Sequence, residues 1–224
     1  MKAVLGFMIY IIMTPALLFI TAGTLAWPMG WVYVVLLLLS TLLSRLVVFF
    51  RNPDTLRERA KFTSAENVEP WDRVLAFVVG LFGPMVIVIF AGLDYRCGWP
   101  DHFSFPVELV AACVLAAGYG LAVWAMLANP FFSSVVRIQN DRDHKVVRKG
   151  PYRIMRHPSY AGAIIAALAF PCMLDALVSL IPALAMIVAL VVRTRLEDEM
   201  LREELPGYES YAAQTRYRLI PGIW

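Results

Sequence analysis

Two clusters of side chains in this chain have the types and spacing to do chemistry. The first is basic: Lys145, Arg148, Lys149, Arg153, Arg156 and His157 crowd around Gly150-Pro151 and end at Pro158. Gly-Pro sets a turn, and Pro158 suits the first turn of the apolar helix that follows. Arg156, His157 and exposed backbone N–H groups then lie at a helix N-terminus, a seat for a carboxylate or phosphate. The second cluster is acidic, Glu197-Asp198-Glu199, and follows Arg193 and Arg195 at the end of another apolar stretch. A helix leaving that stretch brings Glu197 and Asp198 to the face that carries the basic turn, so opposite charges can flank one cavity. Each cluster also has a plainer reading. The basic loop could grip lipid headgroups, and Asp198 with Arg202 forms the i, i+4 pair of any solvated helix.

The elements that must position these clusters are apolar. Hydrophobic residues make up 60% of the 224 and charged residues only 17%, against ~25% charged in soluble domains, which excludes a soluble globule. Ala3 to Ser44 contains no Asp, Glu, Lys or Arg, and ~20 apolar residues already cross a bilayer. Six apolar blocks follow one another, at about 3–25, 31–50, 74–93, 107–128, 158–174 and 176–192. This predicts an all-α, polytopic helical membrane protein. The first block is too long for the ~7–15 residue core of a cleaved signal peptide and runs straight into the second. Trp27 and Trp31 flank the short break between them, where an aromatic belt would sit.

With the N-terminus cytoplasmic, 18 of the 20 basic residues fall inside, Arg96 outside, and Arg45 near the inner end of the second span. The reverse orientation would invert the positive-inside bias, so both termini are expected in the cytoplasm. The last two blocks form a short hairpin, because residues 158–174 cover only ~25 Å as a helix against ~30 Å of hydrocarbon. Asp175 at its tip is placed to cap the returning helix.

The apolar blocks hold almost nothing ionisable, which argues against an ion-coupled transporter. Polar residues collect in three cytoplasmic pieces instead: 51–73, 129–157 and 193–224. Residues 52–62 read as an interfacial helix among headgroups with no catalytic residue. The chain accordingly divides into a four-span bundle, 1–128, and a C-terminal region, 129–224, of loop, hairpin, cytoplasmic helix and tail. Cys97, Cys113, Cys172, His102, His144 and His157 lack the spacing of a metal site, and none is expected. No partner nucleic acid is expected either.

The ordered set Gly150-Pro151-Tyr152-Arg153, Arg156-His157-Pro158-Ser159-Tyr160 with Gly162, Glu197-Asp198 with Leu201, and Tyr208, Tyr211 and Ile220-Pro221-Gly222 resembles the isoprenylcysteine carboxyl methyltransferase family, over roughly residues 129–224. One departure is that the family usually pairs two Glu where this chain has Glu197-Asp198. The resemblance implies a membrane methyltransferase that uses S-adenosyl-L-methionine, sits in a bacterial inner membrane with its cofactor site cytoplasmic, and has no Rossmann domain; no Gly-rich strand-turn-helix is present. It implicates Val146, Val147, Gly150, Tyr152, Arg156, His157, Tyr160, Glu197 and Asp198 in holding the cofactor. It also makes Arg193 and Glu197 the catalytic candidates, with Arg193 orienting the acceptor carboxylate or serving as a positive-inside anchor.

The chemistry suits those residues. The cofactor's carboxylate, ammonium and adenine need a cationic patch, an acid and an apolar slot. An acceptor carboxylate, of pKa ~3.5, is already ionised and needs no general base. Alignment and exclusion of water would then supply most of the acceleration. The expected partners are a lipophilic or prenylated acceptor and membrane lipids. The alternatives are a phospholipid or amine N-methyltransferase, which must lose a proton to a base such as His157, and a non-catalytic lipid-binding protein.

Overall fold

The computed structural model describes residues 2–62, 64–98 and 103–224, with side chains from residue 8 onward; His102 lies outside the described residues. Among the described residues there are nine α-helices: α1 Lys2–Ala22, α2 Pro28–Arg51, α3 Pro53–Arg59, α4 Asp72–Phe77, α5 Gly83–Cys97, α6 Phe105–Ala128, α7 Pro158–Met173, α8 Leu180–Glu204 and α9 Tyr208–Gln214, with a long loop, 129–157, between α6 and α7. A π-helical turn, Val78–Phe82, makes α4 and α5 one continuous rod. No strand occurs among the described residues. Proline opens α2, α3 and α7 and stands in the first turn of α6, where its fixed φ favours the helix and its missing N–H has no partner to lose.

Four helical stretches are long and apolar enough to cross a membrane: Pro28–Arg51, Asp72–Cys97, Phe105–Ala128 and Leu177–Glu204. Met8–Ala22 and Pro158–Met173 are apolar but shorter. The six expected blocks thus all coincide with helices. The large side chains Ile20, Phe50, Val110 and Val188 stay exposed on the outer faces, as lipid-facing positions should.

The tightest seam joins α6 to α7. Ala111, Ala112 and Leu115 share one buried cluster with Ala161, Ala166 and Ala169, and Gly118 and Gly162 are buried between the two helices. A Cβ on Gly118 would come within 2.6 Å of the Gly162 carbonyl oxygen, and one on Gly162 within 2.5 Å of the Gly118 carbonyl oxygen. Backbones can approach this closely only where side chains are absent, the usual device of membrane helix pairs.

At the turn between α1 and α2, Trp27 is buried and stacks on Tyr95 with ring centroids 4.1 Å apart, while Trp31 remains exposed. One expectation about the turns changes. Asp175 accepts the Phe103 N–H at 3.1 Å, and the turn before α8 is held instead by Asp94, which accepts the Val178 N–H at 2.8 Å. An acid on a neighbouring helix reaches that turn because α5 packs directly against it.

The segment 52–62 also differs from a purely lipid-facing helix. Only Pro53–Arg59 is α-helical, and Thr55 and Glu58 are buried. Thr55 donates to Pro130 O at 3.3 Å, and Arg137 Nε donates to Glu58 Oε1 at 2.8 Å. A buried acid requires a cation; Arg137, from the loop after α6, supplies one, and Lys61 Nζ stands 3.2 Å from the other oxygen.

Candidate active site

The basic loop is shaped by Gly150. It has φ +60°, and a Cβ there would fall 2.9 Å from Ala128 Cβ and close to the Trp124 ring. Both the left-handed backbone and the close approach to α6 call for glycine. The turn Gly150–Arg153 buries Tyr152, whose carbonyl accepts the Tyr211 hydroxyl at 2.7 Å. The loop is thereby fixed to α9.

Behind the loop, Asp198 is the hub of a buried network. Arg156 Nε and Nη2 donate to its two oxygens at 2.6 and 2.9 Å. Tyr208 OH donates to Oδ1 at 3.0 Å, and Arg202 Nε and Arg218 Nε to Oδ2 at 3.3 and 2.9 Å. His157 Nε2 lies 3.4 Å from Oδ1. Asp198 is wholly inaccessible, and this many donors satisfy a buried carboxylate. Burial and the Asp198 charge together hold the Tyr208 hydroxyl far above its ordinary range.

The helix N-terminus before Pro158 is correspondingly closed. The tail after α9 returns over it: Arg156 N–H and His157 N–H donate to Tyr217 O and Arg218 O at 2.9 Å each, and Arg156 Nη1 donates to Thr215 O and Arg216 O. Those N–H groups, read from the sequence as an open anion seat, are taken by backbone carbonyls because the tail lies directly on them.

Glu197, one residue from the hub, faces the other way. Its Oε2 accepts the Tyr160 hydroxyl at 2.6 Å and lies 3.9 Å from His157 Nδ1. The His157 and Tyr160 rings are parallel within 5°. Arg193, one helical turn earlier, sits over the Tyr160 ring at 5.3 Å. Its Nε and Nη2 donate to Asp72 at 2.7 and 3.1 Å, and Nη2 also reaches Ser134 O. Asp72 Oδ2 accepts the Val136 N–H as well, at 2.6 Å.

These groups wall a cavity of about 820 Å³, part of it open to solvent. Val146, Val147, Tyr152, Arg156, His157, Tyr160, Arg193 and Glu197 are on its wall; Gly150 and Asp198 stand behind it. Apolar side chains from Phe132, Leu201 and Leu205 line it too. His144 borders it next to Phe131 and is held down at about 4, first by burial and then by the charges of Arg137 and Arg142, so its ring is neutral at physiological pH. Among the described residues no group of His, Cys, Asp and Glu is arranged to hold a metal.

Sequence reasoning missed Asp72 and the Glu58–Arg137 pair. An acid in the first turn of a helix is read as complementing the helix dipole, and only its position at the inner mouth of an apolar span hinted at more.

The ordered motifs from Gly150 to Leu201 fall inside one stretch that matches known proteins, and Tyr208, Tyr211 and Ile220-Pro221-Gly222 lie beyond it. Residues 109–203 match the Isoprenylcysteine carboxyl methyltransferase (ICMT) family. Within that ICMT stretch lie the basic turn, Tyr160, Arg193, Glu197 and Asp198. A 79-residue segment is 40% identical to Protein-S-isoprenylcysteine O-methyltransferase B of Arabidopsis thaliana, covering 35% of this chain and 36% of the relative. A segment of the same length is 30% identical to Protein-S-isoprenylcysteine O-methyltransferase A of that plant, with the same coverage. A probable protein-S-isoprenylcysteine O-methyltransferase of Oryza sativa subsp. indica is 43% identical over 47 residues, 21% of this chain and 25% of the relative. The chain therefore aligns with about a third of the length of the Arabidopsis relatives. These relatives are plant proteins and lend nothing to a bacterial origin. Asp72, Glu58 and all of α1 to α5 lie outside the ICMT match.

Proposed function

We propose that this protein is a membrane methyltransferase that moves a methyl group from S-adenosyl-L-methionine to the carboxylate of an isoprenylcysteine-like lipophilic acceptor. The observation that carries the reading is the juxtaposition of Glu197, Tyr160 and Arg193 on one cavity at the membrane-proximal end of α8, inside the ICMT match. All six apolar helices are taken as crossing or entering the bilayer, α7 as the short arm of a hairpin, with both termini and the cavity cytoplasmic. The concentration of 18 of the 20 basic residues on that side supports this orientation.

The wall fits the cofactor's three parts. Glu197 keeps Oε1 for an ammonium while Tyr160 steadies Oε2. Val146, Val147, Leu201 and Leu205 offer an apolar slot. His157 and Ser159, at the start of α7, would take the carboxylate in place of Arg156, which is committed to Asp198. When bound, the sulfonium supplies an electrophilic methyl group. The residues of this chain then have two tasks. Arg193 orients an already ionised acceptor through Nη1, since Nε and Nη2 are engaged by Asp72 and Ser134. The apolar wall keeps water from competing.

The test is incubation of purified protein in lipid discs with methyl-labelled S-adenosyl-L-methionine and an S-prenylated cysteine. The expected product is a base-labile methyl ester. Label in a phospholipid amine would establish N-methylation instead, and cofactor binding without any transfer would overturn the reading.

A further inference from the structure

One side of the cavity is formed by the loop after α6, with Phe131, Phe132, Val135, Val136 and Arg137 on its wall. The backbone of that loop is held by the cytoplasmic segment between α2 and α5. Thr55 donates to Pro130 O, and Ser134 Oγ donates to Arg59 O at 3.4 Å. Val136 is held at both ends of its peptide unit: its carbonyl accepts the Glu69 N–H at 3.0 Å, and its N–H donates to Asp72 Oδ2. Val135 is buried with Ala65 and Ala76, and Phe62 and Val68 pack against them.

Arg137 is held by charge. Its Nε donates to Glu58 Oε1, and Nη1 and Nη2 donate to Asp141 at 3.0 and 3.4 Å. Lys61 Nζ lies 3.2 Å from Glu58 Oε2 and 3.7 Å from Asp141 Oδ2, so two acids and two bases alternate around a ring. Lys61 and Asp141 are half exposed, whereas Glu58 and Arg137 are only 2% and 7% exposed. Burial opposes the charge on Glu58, but Arg137 and Lys61 outweigh it and hold the carboxylate below its ordinary range. A buried ion pair is often no more stabilising than apolar residues of the same volume. What the planar guanidinium fork adds is direction.

That direction is passed on. Arg137 is joined by a rigid peptide unit to Val136, Val136 donates to Asp72, and Asp72 is the two-pronged partner of Arg193. Glu58 is thus linked to Arg193 through contacts that all lie on the acceptor side of the cavity. The apolar slot assigned to the cofactor comes from residues 146–147 and from α8 and the turn after it.

We propose that Glu58 is a positioning residue: by holding Arg137 it seats the Val136 N–H on Asp72 and so sets the reach of Arg193 towards the acceptor. The segment between α2 and α4, expected from the sequence to lie among headgroups and located outside the ICMT match, then belongs to the active-site machinery. The word acceptor rests on the methyltransferase reading; the link from Glu58 to Arg193 does not.

The experiment compares Glu58→Gln, which keeps the shape and loses the charge, with Arg57→Gln, an exposed neighbour on the same helix paired with Asp54. Both are assayed in lipid discs with methyl-labelled S-adenosyl-L-methionine and an S-prenylated cysteine. Glu58→Gln should lose about ten- to a hundredfold in kcat/KM for the acceptor and bind the cofactor as the wild type does, because small displacements of an orienting group are that costly. Glu58→Asp should retain part of the lost activity, and Arg57→Gln should match the wild type. Wild-type acceptor kinetics in Glu58→Gln would overturn the proposal. So would an equal loss of cofactor affinity, the mark of general loosening, or the same defect in Arg57→Gln. A thermal-unfolding cycle of Glu58→Gln, Arg193→Met and the double variant reads the link without turnover. The double variant should lose less melting temperature than the two single variants together, since residues in one network do not add. Additive shifts would overturn the link. Non-additive shifts with no methyl transfer by the wild type would remove the methyltransferase reading and leave the link in place.

Discussion

Arg193 and Asp72 are 121 residues apart in sequence and form a two-pronged ion pair, Nε to Oδ1 at 2.7 Å and Nη2 to Oδ2 at 3.1 Å. The pair joins the helix that carries Glu197 to the helix that enters the membrane after the α3 segment. Asp72 thus fixes the rotamer of the cation assigned to the acceptor.

Removing one member of a buried pair leaves a stranded charge and costs about 3–5 kcal/mol. Asp72→Ala should therefore lower the melting temperature sharply. The double variant Asp72→Leu with Arg193→Met should recover much of that stability and still fail to turn over acceptor. Thermal unfolding in detergent, together with the methyl-transfer assay, separates the two effects.

Glu197 and Asp198 should respond in opposite ways. Glu197→Gln keeps the Tyr160 contact and should unfold at nearly the wild-type temperature while losing cofactor affinity about tenfold or more. Asp198→Asn removes the charge shared by Arg156, Arg202 and Arg218 and should lower stability before any binding defect is measurable. Equal melting temperatures for the two variants would contradict the hub.

The α6–α7 seam makes a steric prediction. Gly118→Ala and Gly162→Ala each drive a Cβ into a facing carbonyl and should destabilise by roughly 1–3 kcal/mol. Gly120→Ala, where nothing lies within 4 Å, should be neutral or slightly stabilising, because alanine is the better helix former. Thermal shifts of the three variants provide the comparison.

His144 gives a pH dependence. Its ring is held near 4 by burial and by Arg137 and Arg142, against 6.5 ordinarily. Between those values the unfolded chain gains a proton that the folded chain does not. Stability from the neutral ring is therefore complete above about pH 6.5 and is lost as pH falls towards 4. The melting temperature of His144→Phe should fall less between pH 7 and 5 than that of the wild type.

Orientation is accessible through thiols. Cys97, exposed at the end of α5, should react with an impermeant maleimide added outside intact cells. Cysteines placed by Lys61→Cys and Lys149→Cys should react only after permeabilisation. Labelling of the latter two from outside would invert the topology.

The helices were largely readable because apolar blocks and the prolines at their starts are local signals. The meeting of Tyr160 with Glu197 was readable too, since both motifs point to the same end of the hairpin. The division of labour between Glu197 and Asp198 was not. Successive helical residues point about 100° apart, so only one of two adjacent acids can face a given cavity, and the register that decides comes from packing. Asp72, Glu58 and the carbonyls of residues 215–218 were hidden for a related reason. Each finds its partner far away in sequence, and the choice is made by three-dimensional contact rather than by any local pattern.

The return of the tail over Arg156 and His157 has a consequence for biosynthesis. A growing chain emerges in order, so the basic turn reaches the membrane face well before residues 215–218 have been made. Arg156 first lacks both Asp198 and its carbonyl acceptors, then gains Asp198, and gains the carbonyls last. The membrane helices can insert early, but the carbonyls that hold Arg156 and His157 in place exist only once residues 215–218 have been made, so the order of this turn comes from a segment synthesised some sixty residues after it.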